Sequence, residues 1–421
     1  MMFSGGAPTQ ESVLTALQGW KPASSLPLLG VNTHLNRGGA GGGPTPNATN
    51  ISLLQTTSSA ITRIDMVNWD QIEQSLGVYT WTVPDAMIAL LRSAGIKFNI
   101  PLGYSNPLYG SPGYNSGLTT QAQITAYCNY CVAAANRYNG PDVQFEVRNE
   151  VNISFGWAPS PNSSFYTNMM KQAAAAIKAA QPTAVVLTSG ISNEGAYPSW
   201  GNFVQGMAAA GNLANADGVA FHPYGQGDLV GQPPESSLFH IIDYLNATGR
   251  QKPLYLNEWG YPYSWSSNST GRQAILVARM LLTAIIAGPK TFIAYDLIDD
   301  GTDYTNDENT YGLYDASYAI KPAGTAWLAI MGALAGCTSY GFGFDPVQKL
   351  CVLTVMRSAG QSVIAWTYDT GTKTVLKIVN AFTSYTLKNL AGSAQSISVS
   401  NGVASFSVTE AGGPVILTAA Y

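Results

Sequence analysis

Residues 143–152 read VQFEVRNEVN, and residues 254–261 read LYLNEWGY. Each opens on apolar, β-forming residues and closes on a glutamate, Glu150 in the first and Glu258 in the second. Runs of this length bounded by polar residues read as short buried strands, and the glutamates fall where strand gives way to loop. Six similar runs lie between residues 26 and 298: Leu26–Leu35, Ile61–Val67, Lys97–Tyr104, Ala184–Ser192, Gly218–Tyr224 and Thr291–Ile298. With Val143–Val151 and Pro253–Gly260 they make eight.

Between these runs lie helical patterns: Pro84–Ala94, Thr119–Tyr138, Ser163–Ala180, Trp200–Ala216, Glu235–Leu245, Gly271–Ala287 and Lys321–Leu334. The weakest pattern, Asn50–Ala60, follows a glycine-rich loop, Gly38–Pro44. Gly95, Gly249 and Gly288 stand where helices should stop. Strands alternating with helices predict a parallel sheet with right-handed crossovers. Eight such units predict a closed (β/α)8 barrel, an α/β fold. After Gly336 the pattern changes to alternating runs (Leu350–Met356, Ser362–Tyr368, Thr374–Val379, Gln395–Val399, Ala404–Val408, Val415–Ala419). We therefore expect a barrel over residues 1–336 and a small antiparallel β-sandwich over residues 337–421.

The 421 residues carry 20 Lys+Arg and 24 Asp+Glu, a formal charge of −4, so only 10% are charged against an average near a quarter. So few cations exclude a nucleic-acid binder that works through a basic surface. Hydrophobic residues at 46% and aromatic residues at 11% are enough for a large core. The apolar stretch Ala274–Gly288 contains Arg279 and is shorter than the roughly 20 residues that a span needs, so no membrane segment is expected. The opening MMFSGGAPTQESVL has neither a positive nor an apolar signal region. The expectation is nevertheless a secreted or periplasmic protein whose signal peptide lies outside this sequence. Cys128 and Cys131 form a CxxC inside a helical pattern and read as buried thiols. Cys337 and Cys351 flank the expected boundary, and the sequence leaves open whether a disulfide joins them.

In a barrel the working residues gather at the carboxyl ends of the strands. Strands four and seven lie on different sides of an eight-membered ring, so Glu150 and Glu258 can face each other across its mouth. The bland alternative makes them solvated loop charges or helix caps. Two carboxylates across a cleft suit retaining glycoside hydrolysis, one protonating the leaving oxygen and the other attacking the anomeric carbon. Other strand ends supply His34, Arg63 with Trp69 beyond it, Tyr104, His222, Tyr224 and Trp259. Aromatic faces stack on the apolar C–H faces of sugars, and the polar groups meet hydroxyls. No GxSxG or HExxH is present, and the acidic group Asp296, Asp299, Asp300 and Asp303 lacks EF-hand spacing. It reads as a barrel cap or as acceptors for sugar hydroxyls, and neither metal nor cofactor is expected.

Asn149-Glu150 on strand four with Glu258 on strand seven resembles the clan A (4/7) retaining glycoside hydrolases, most of all family 39 and its relatives. RIDMVNWDQIEQSLGVYTW (Arg63–Trp81) is similar to that family's strand-two signature and FHPY (Phe221–Tyr224) to its strand-six signature. The resemblance implies Glu150 as acid/base and Glu258 as nucleophile. It also implies Asn149 on the sugar 2-hydroxyl, Tyr224 and Arg63 holding the nucleophile ionised, and His222 and His34 lining the sugar subsite. The usual Trp-Asn-Glu-Pro is Arg148-Asn149-Glu150-Val151 here. Arg148 either points behind the strand or meets an anionic substituent. A carbohydrate is the expected partner, with oligomeric state unassigned. A non-catalytic sugar-binding barrel and a transglycosylase using the same residues are the alternatives, and endo or exo action is open.

Overall fold

The computed structural model describes residues 25–35, 48–64, 67–193, 199–211, 213–224 and 234–421. The glycine-rich loop Gly38–Pro44 lies outside them. Eight parallel strand positions follow the predicted runs: β1 (Leu28–Val31), β2 (Ile61–Arg63), β3 (Lys97–Gly103), β4 (Val143–Val147), β5 (Val185–Leu187, resuming at Ile191–Ser192), β6 (Val219–His222), β7 (Leu254–Leu256) and β8 (Thr291–Ala294). The ladder runs from the first half of β5 through β4, β3, β2, β1, β8, β7 and β6 to the second half of β5. Both ends of the ladder are thus one strand, and a parallel bridge from Leu187 to Gly218 completes the ring. The sheet is a closed barrel.

The ladders are shorter than the apolar runs that announced them. Asn149, Glu150, Tyr224, Glu258 and Asp296 all lie just beyond the ends of the named strands, on the carboxyl-end rim, where Asn149 still makes one isolated bridge to Gly190. That rim is where backbone leaves the ladder and side chains can converge.

Helices occupy the outer layer: α1 (Ala48–Thr56), α2 (Thr82–Ser93), α3 (Gln121–Tyr138), α4 (Ser163–Ala180), α5 (Ser199–Ala209), α6 (Ser237–Ala247), α7 (Thr270–Ala287) and α8 (Pro322–Leu334). Their starts follow helix-opening chemistry. Thr120 and Gln123 close a reciprocal capping box on α3, and Asn162 and Ser269 accept backbone N–H groups at α4 and α7. Helix α5 stops earlier than the alanine-rich run Trp200–Ala216 suggested, because Gly211 turns the chain left-handed at φ 72°. Helix α1 likewise ends at Thr56 rather than Ala60. By length and composition α7 could cross a membrane, but 78% of its apolar window is buried in the barrel wall. Cys128 and Cys131 are buried on α3, as read.

After α8 the chain turns to antiparallel strands. A five-stranded sheet contains β9 (Cys337–Asp345), β10 (Leu350–Arg357), β11 (Gly360–Thr367), β13 (Ser384–Asn389) and β16 (Val415–Ala420). A three-stranded sheet contains β12 (Thr372–Ile378), β14 (Ser398–Ser400) and β15 (Val403–Thr409). The larger sheet buries both faces. Leu353, Val355, Ile364, Trp366 and Ile416 join the barrel core, while Val363, Leu417 and Leu387 pack with Val375, Phe406 and Val408 of the smaller sheet. Strands β9 and β13 were not among the predicted runs: β9 is rich in glycine and polar residues, and β13 alternates polar residues with only one buried apolar position.

Cys337 and Cys351 are free. Cys337 pairs with Arg357 at one end of the β9–β10 hairpin and Cys351 with Phe344 near the other. Six ladder positions separate them, about 20 Å along a strand. A disulfide needs α-carbons within about 7 Å.

Candidate active site

Glu150 and Glu258 meet at the rim. One oxygen of each, together with a ring nitrogen of His222, lie within 4.8 Å of one another. His222 Nδ1 sits 2.9 Å from Glu150 Oε1 and 3.8 Å from Glu258 Oε2. Arg63 donates through Nη1 to Glu258 Oε2 at 2.7 Å and through Nη2 to Asn149 Oδ1 at 2.7 Å. Tyr224 donates its hydroxyl to Glu258 Oε1 at 3.0 Å. Asn149 donates to the Tyr104 hydroxyl at 3.4 Å. Five of the other residues singled out from sequence, Arg63, Tyr104, Asn149, His222 and Tyr224, therefore form one connected group around Glu150 and Glu258.

The two carboxyl groups differ electrostatically. Burial raises the Glu150 pKa above its ordinary value, the nearby Glu258 charge adds to this, and His222 only partly opposes it. Burial also works against ionisation of Glu258. Here, however, the positive charges of His222 and Arg63 and the Tyr224 hydrogen bond prevail and hold the carboxyl below its ordinary value. Burial alone would make His222 easier to deprotonate, but Glu258 and Glu150 reverse this and raise its pKa. The site thus pairs a carboxyl that holds its proton more tightly than usual with one that gives it up more readily.

Two residues that hold this arrangement were not visible from sequence. Glu146, inside the barrel on β4, accepts from Arg63 Nε at 3.0 Å, Asn257 Nδ2 at 2.7 Å and the Gly190 N–H at 2.8 Å. It fixes the guanidinium whose other nitrogens reach Glu258 and Asn149. Gly190 sits in the break of β5, and its carbonyl accepts the Glu150 N–H at 2.9 Å. A β-carbon on Gly190 would fall 2.0 Å from His222 Nε2, so only glycine lets the imidazole lie there. Arg148 and Glu150 both have positive φ, 67° and 46°, on either side of Asn149. Such backbone is costly for residues with side chains and marks a rim whose surroundings over-determine it.

Two expectations need correction. Trp69 is fully buried, stacked on Tyr109 and Tyr130, and its indole donates to Glu73 at 2.5 Å. It is a core residue and presents no face to a sugar. Trp259 is likewise fully buried, packed against Tyr261 and Phe292. The alternation that brings Glu258 to the mouth turns its neighbour into the wall.

Arg148 points behind the strand. Its guanidinium lies over Trp157 at 4.8 Å and Tyr104 at 5.5 Å, and Nη2 donates to the carbonyls of Ser116 and Gly156. The acidic group after β8 divides. Asp299 pairs with Lys321 at 2.7 Å and Asp303 with Thr305, both structural. Asp296 and Asp300 instead face His34, with Nδ1 at 3.7 and 2.9 Å. His34, Asp296 and Asp300 also have the spacing of a metal-ligand set, as do Glu150, His222 and Glu258. In the second set the Arg63 guanidinium already supplies positive charge 2.7 Å from Glu258.

A closed (β/α)8 barrel with these strand-four and strand-seven carboxylates defines a clan A glycoside hydrolase. Residues 62–285 match the cellulase family, glycosyl hydrolase family 5, and the chain belongs to that family. No curated protein sequence matches it. Solved structures share the fold. A family 39 glycoside hydrolase from the gut symbiont Bacteroides cellulosilyticus superposes with TM-score 0.72 at 20% identity, over 94% of this chain and 81% of that one. A monomeric β-xylosidase from Caulobacter crescentus gives 0.67 at 15% identity, over 95% and 97%. A family 30 endoxylanase from Clostridium papyrosolvens gives 0.62 at 15% identity, over 96% and 98%.

Proposed function

We propose that the enzyme cleaves O-glycosidic bonds with retention, through a covalent glycosyl–enzyme. The observation that carries this reading is the pair of carboxyl groups with oxygens inside 4.8 Å and pKa values displaced in opposite directions. Inverting enzymes need room for a water between the carboxyls, roughly 6.5–9.5 Å, whereas retaining enzymes need about 5–5.5 Å.

Glu258 attacks the anomeric carbon, and the bond to the leaving oxygen breaks as the Glu150 proton passes to that oxygen. Asn149, held by Arg63, meets the sugar 2-hydroxyl. Once Glu258 is esterified its charge is gone, so Glu150 ionises more readily and takes a proton from water. That water attacks the anomeric carbon and frees Glu258. His34, Asp296 and Asp300 accept sugar hydroxyls beside the nucleophile. The catalytic unit is residues 1–336, with residues 337–421 packed behind it.

A mostly neutral polysaccharide is the substrate. The low charge of the chain supports this, and so does Arg148, which is tied to backbone carbonyls rather than to the cleft. A polymeric substrate places the activity outside the cytoplasm. The test is hydrolysis of cello-, manno- and xylo-oligosaccharides of two to six units, with the anomer of the first product read by proton NMR. Retained configuration, and a Glu150→Gln variant that binds but does not turn over, are the expected results. Inverted configuration, or hydrolysis by Glu150→Gln at the wild-type rate, would overturn the assignment.

A further inference from the structure

Phe155 and Tyr114 are 49% and 45% exposed, unusual for large aromatic rings beside a catalytic rim. Both pack edge to face on buried Tyr104, with ring centroids 6.2 and 5.9 Å from it. The Tyr104 hydroxyl in turn meets the Asn149 amide, next to Glu150. The exposed pair is therefore continuous with the reaction centre through a single residue.

The loops that carry the pair are rigidly built. Asn115 Nδ2 donates to the Phe155 carbonyl at 3.1 Å, and the Ser105 N–H donates to the Tyr114 carbonyl at 2.7 Å. The Ala158 N–H returns to the Asn115 carbonyl at 3.0 Å, and the Gly117 N–H to the Ala158 carbonyl at 2.9 Å. Between the two loops lies Arg148, fully buried, joining Ser116 of one to Gly156 of the other. Gly156 passes so close to the rim that a β-carbon there would fall 2.1 Å from the Asn149 carbonyl. A buried cation fastened to two loops keeps their exposed rings from collapsing onto the core. Rings held open in this way present a preformed apolar face, which lowers the ordering cost of binding.

We propose that Phe155 and Tyr114 form a sugar-stacking subsite for the leaving-group side of a polysaccharide. This rests on the retaining glycosidase reading above. The side follows from the chemistry: the leaving group departs away from Glu258 and toward Glu150, and Phe155 stands on Glu150's own loop. A saccharide unit beyond the cleaved bond lies over that loop and turns its C–H face to the rings.

The test compares kcat/KM on cellohexaose, mannohexaose and xylohexaose with that on the corresponding β-glycosyl fluorides, whose leaving group is a single atom. Phe155→Ala and Tyr114→Ala are each expected to lower kcat/KM on the hydrolysed hexaose by about tenfold, mainly through KM, with fluoride hydrolysis unchanged. Phe155→Trp should keep the wild-type value. About half of each ring is open to solvent, so the melting temperature should fall by only a few degrees, which separates a subsite effect from damage to the fold. Equal losses on hexaose and fluoride, or no loss on either, would overturn the subsite while leaving the reaction intact. If the wild-type enzyme hydrolyses none of these compounds, the glycosidase reading fails and the subsite falls with it.

Discussion

Arg63 at the barrel mouth and Arg279 where barrel meets sandwich are both buried and both bracketed by carboxylates. Arg279 spends its fork on Glu235, at 2.9 and 2.6 Å, and reaches Glu410 at 2.9 Å with its remaining nitrogen. Glu235 also accepts from the Trp366 indole at 2.8 Å and is wholly excluded from solvent. Arg63 instead divides its nitrogens among Glu146, Glu258 and Asn149. One of those partners, Glu258, keeps 15% of its side chain open to the cleft. The same ion-pair chemistry makes a joint in one place and, on the proposed mechanism, a reagent in the other. What separates them is whether a carboxylate oxygen still faces a space that a substrate can enter.

The comparison can be broken at either end. The largest effect is expected from Glu258→Gln, which should cut kcat by roughly 10⁴-fold and leave the melting curve almost unmoved. Near-wild-type turnover would place the nucleophile elsewhere. At the other cluster, Arg279→Met leaves Glu235 buried without its cation and should cost about 3–5 kcal/mol in denaturant unfolding. Turnover at low temperature should persist, and adding Glu235→Gln should recover much of the loss. A stable single variant would show that the joint carries no weight.

A smaller effect tests whether Glu146 belongs with the first cluster or is mere filling. Glu146→Gln keeps the shape but releases the guanidinium, and should raise the barrier by about 2 kcal/mol, roughly thirtyfold in kcat. An unchanged kcat would sever Glu146 from the chemistry. The smallest effect is in pH dependence. On the proposed mechanism activity needs Glu258 ionised and Glu150 protonated, so the acid limb should lie below the ordinary carboxylate range and the alkaline limb above it. His222 favours ionisation of both groups, so His222→Gln should slide both limbs to higher pH. A bell that stays in place would mean that His222 acts on neither.

Much of this was legible in the sequence because barrel strands announce themselves as apolar runs and their last polar residue is the one on the rim. Glu150, Glu258, Asn149, Arg63, His222 and Tyr224 were found in that way. Trp69 and Trp259 misled for a related reason: next to a rim residue, strand alternation points the side chain into the wall, and an aromatic there is core. Glu146 looked like one more strand position, since its three partners come from β2, a break in β5 and the end of β7, which no local pattern connects. Gly190 carried no signal, because its role is the space it leaves for an imidazole from another strand. Strand β9, with four of its nine residues exposed and none fully buried, offered no apolar run to read.

The divided fifth strand has a consequence for how activity is born. Its first half belongs to one arc of the cylinder and its second half to the other, and Gly190 in the gap grips both Glu146 and the backbone of Glu150. The weld that shuts the cylinder and the anchor of Glu150, the proton donor proposed above, are thus one piece of chain. A nascent polypeptide that has not yet delivered β6 has nothing to seal against, and its donor stays unmoored. Turnover in a refolding or translation experiment would therefore read out circumferential closure, arriving with the last lateral contact rather than with the first compact state.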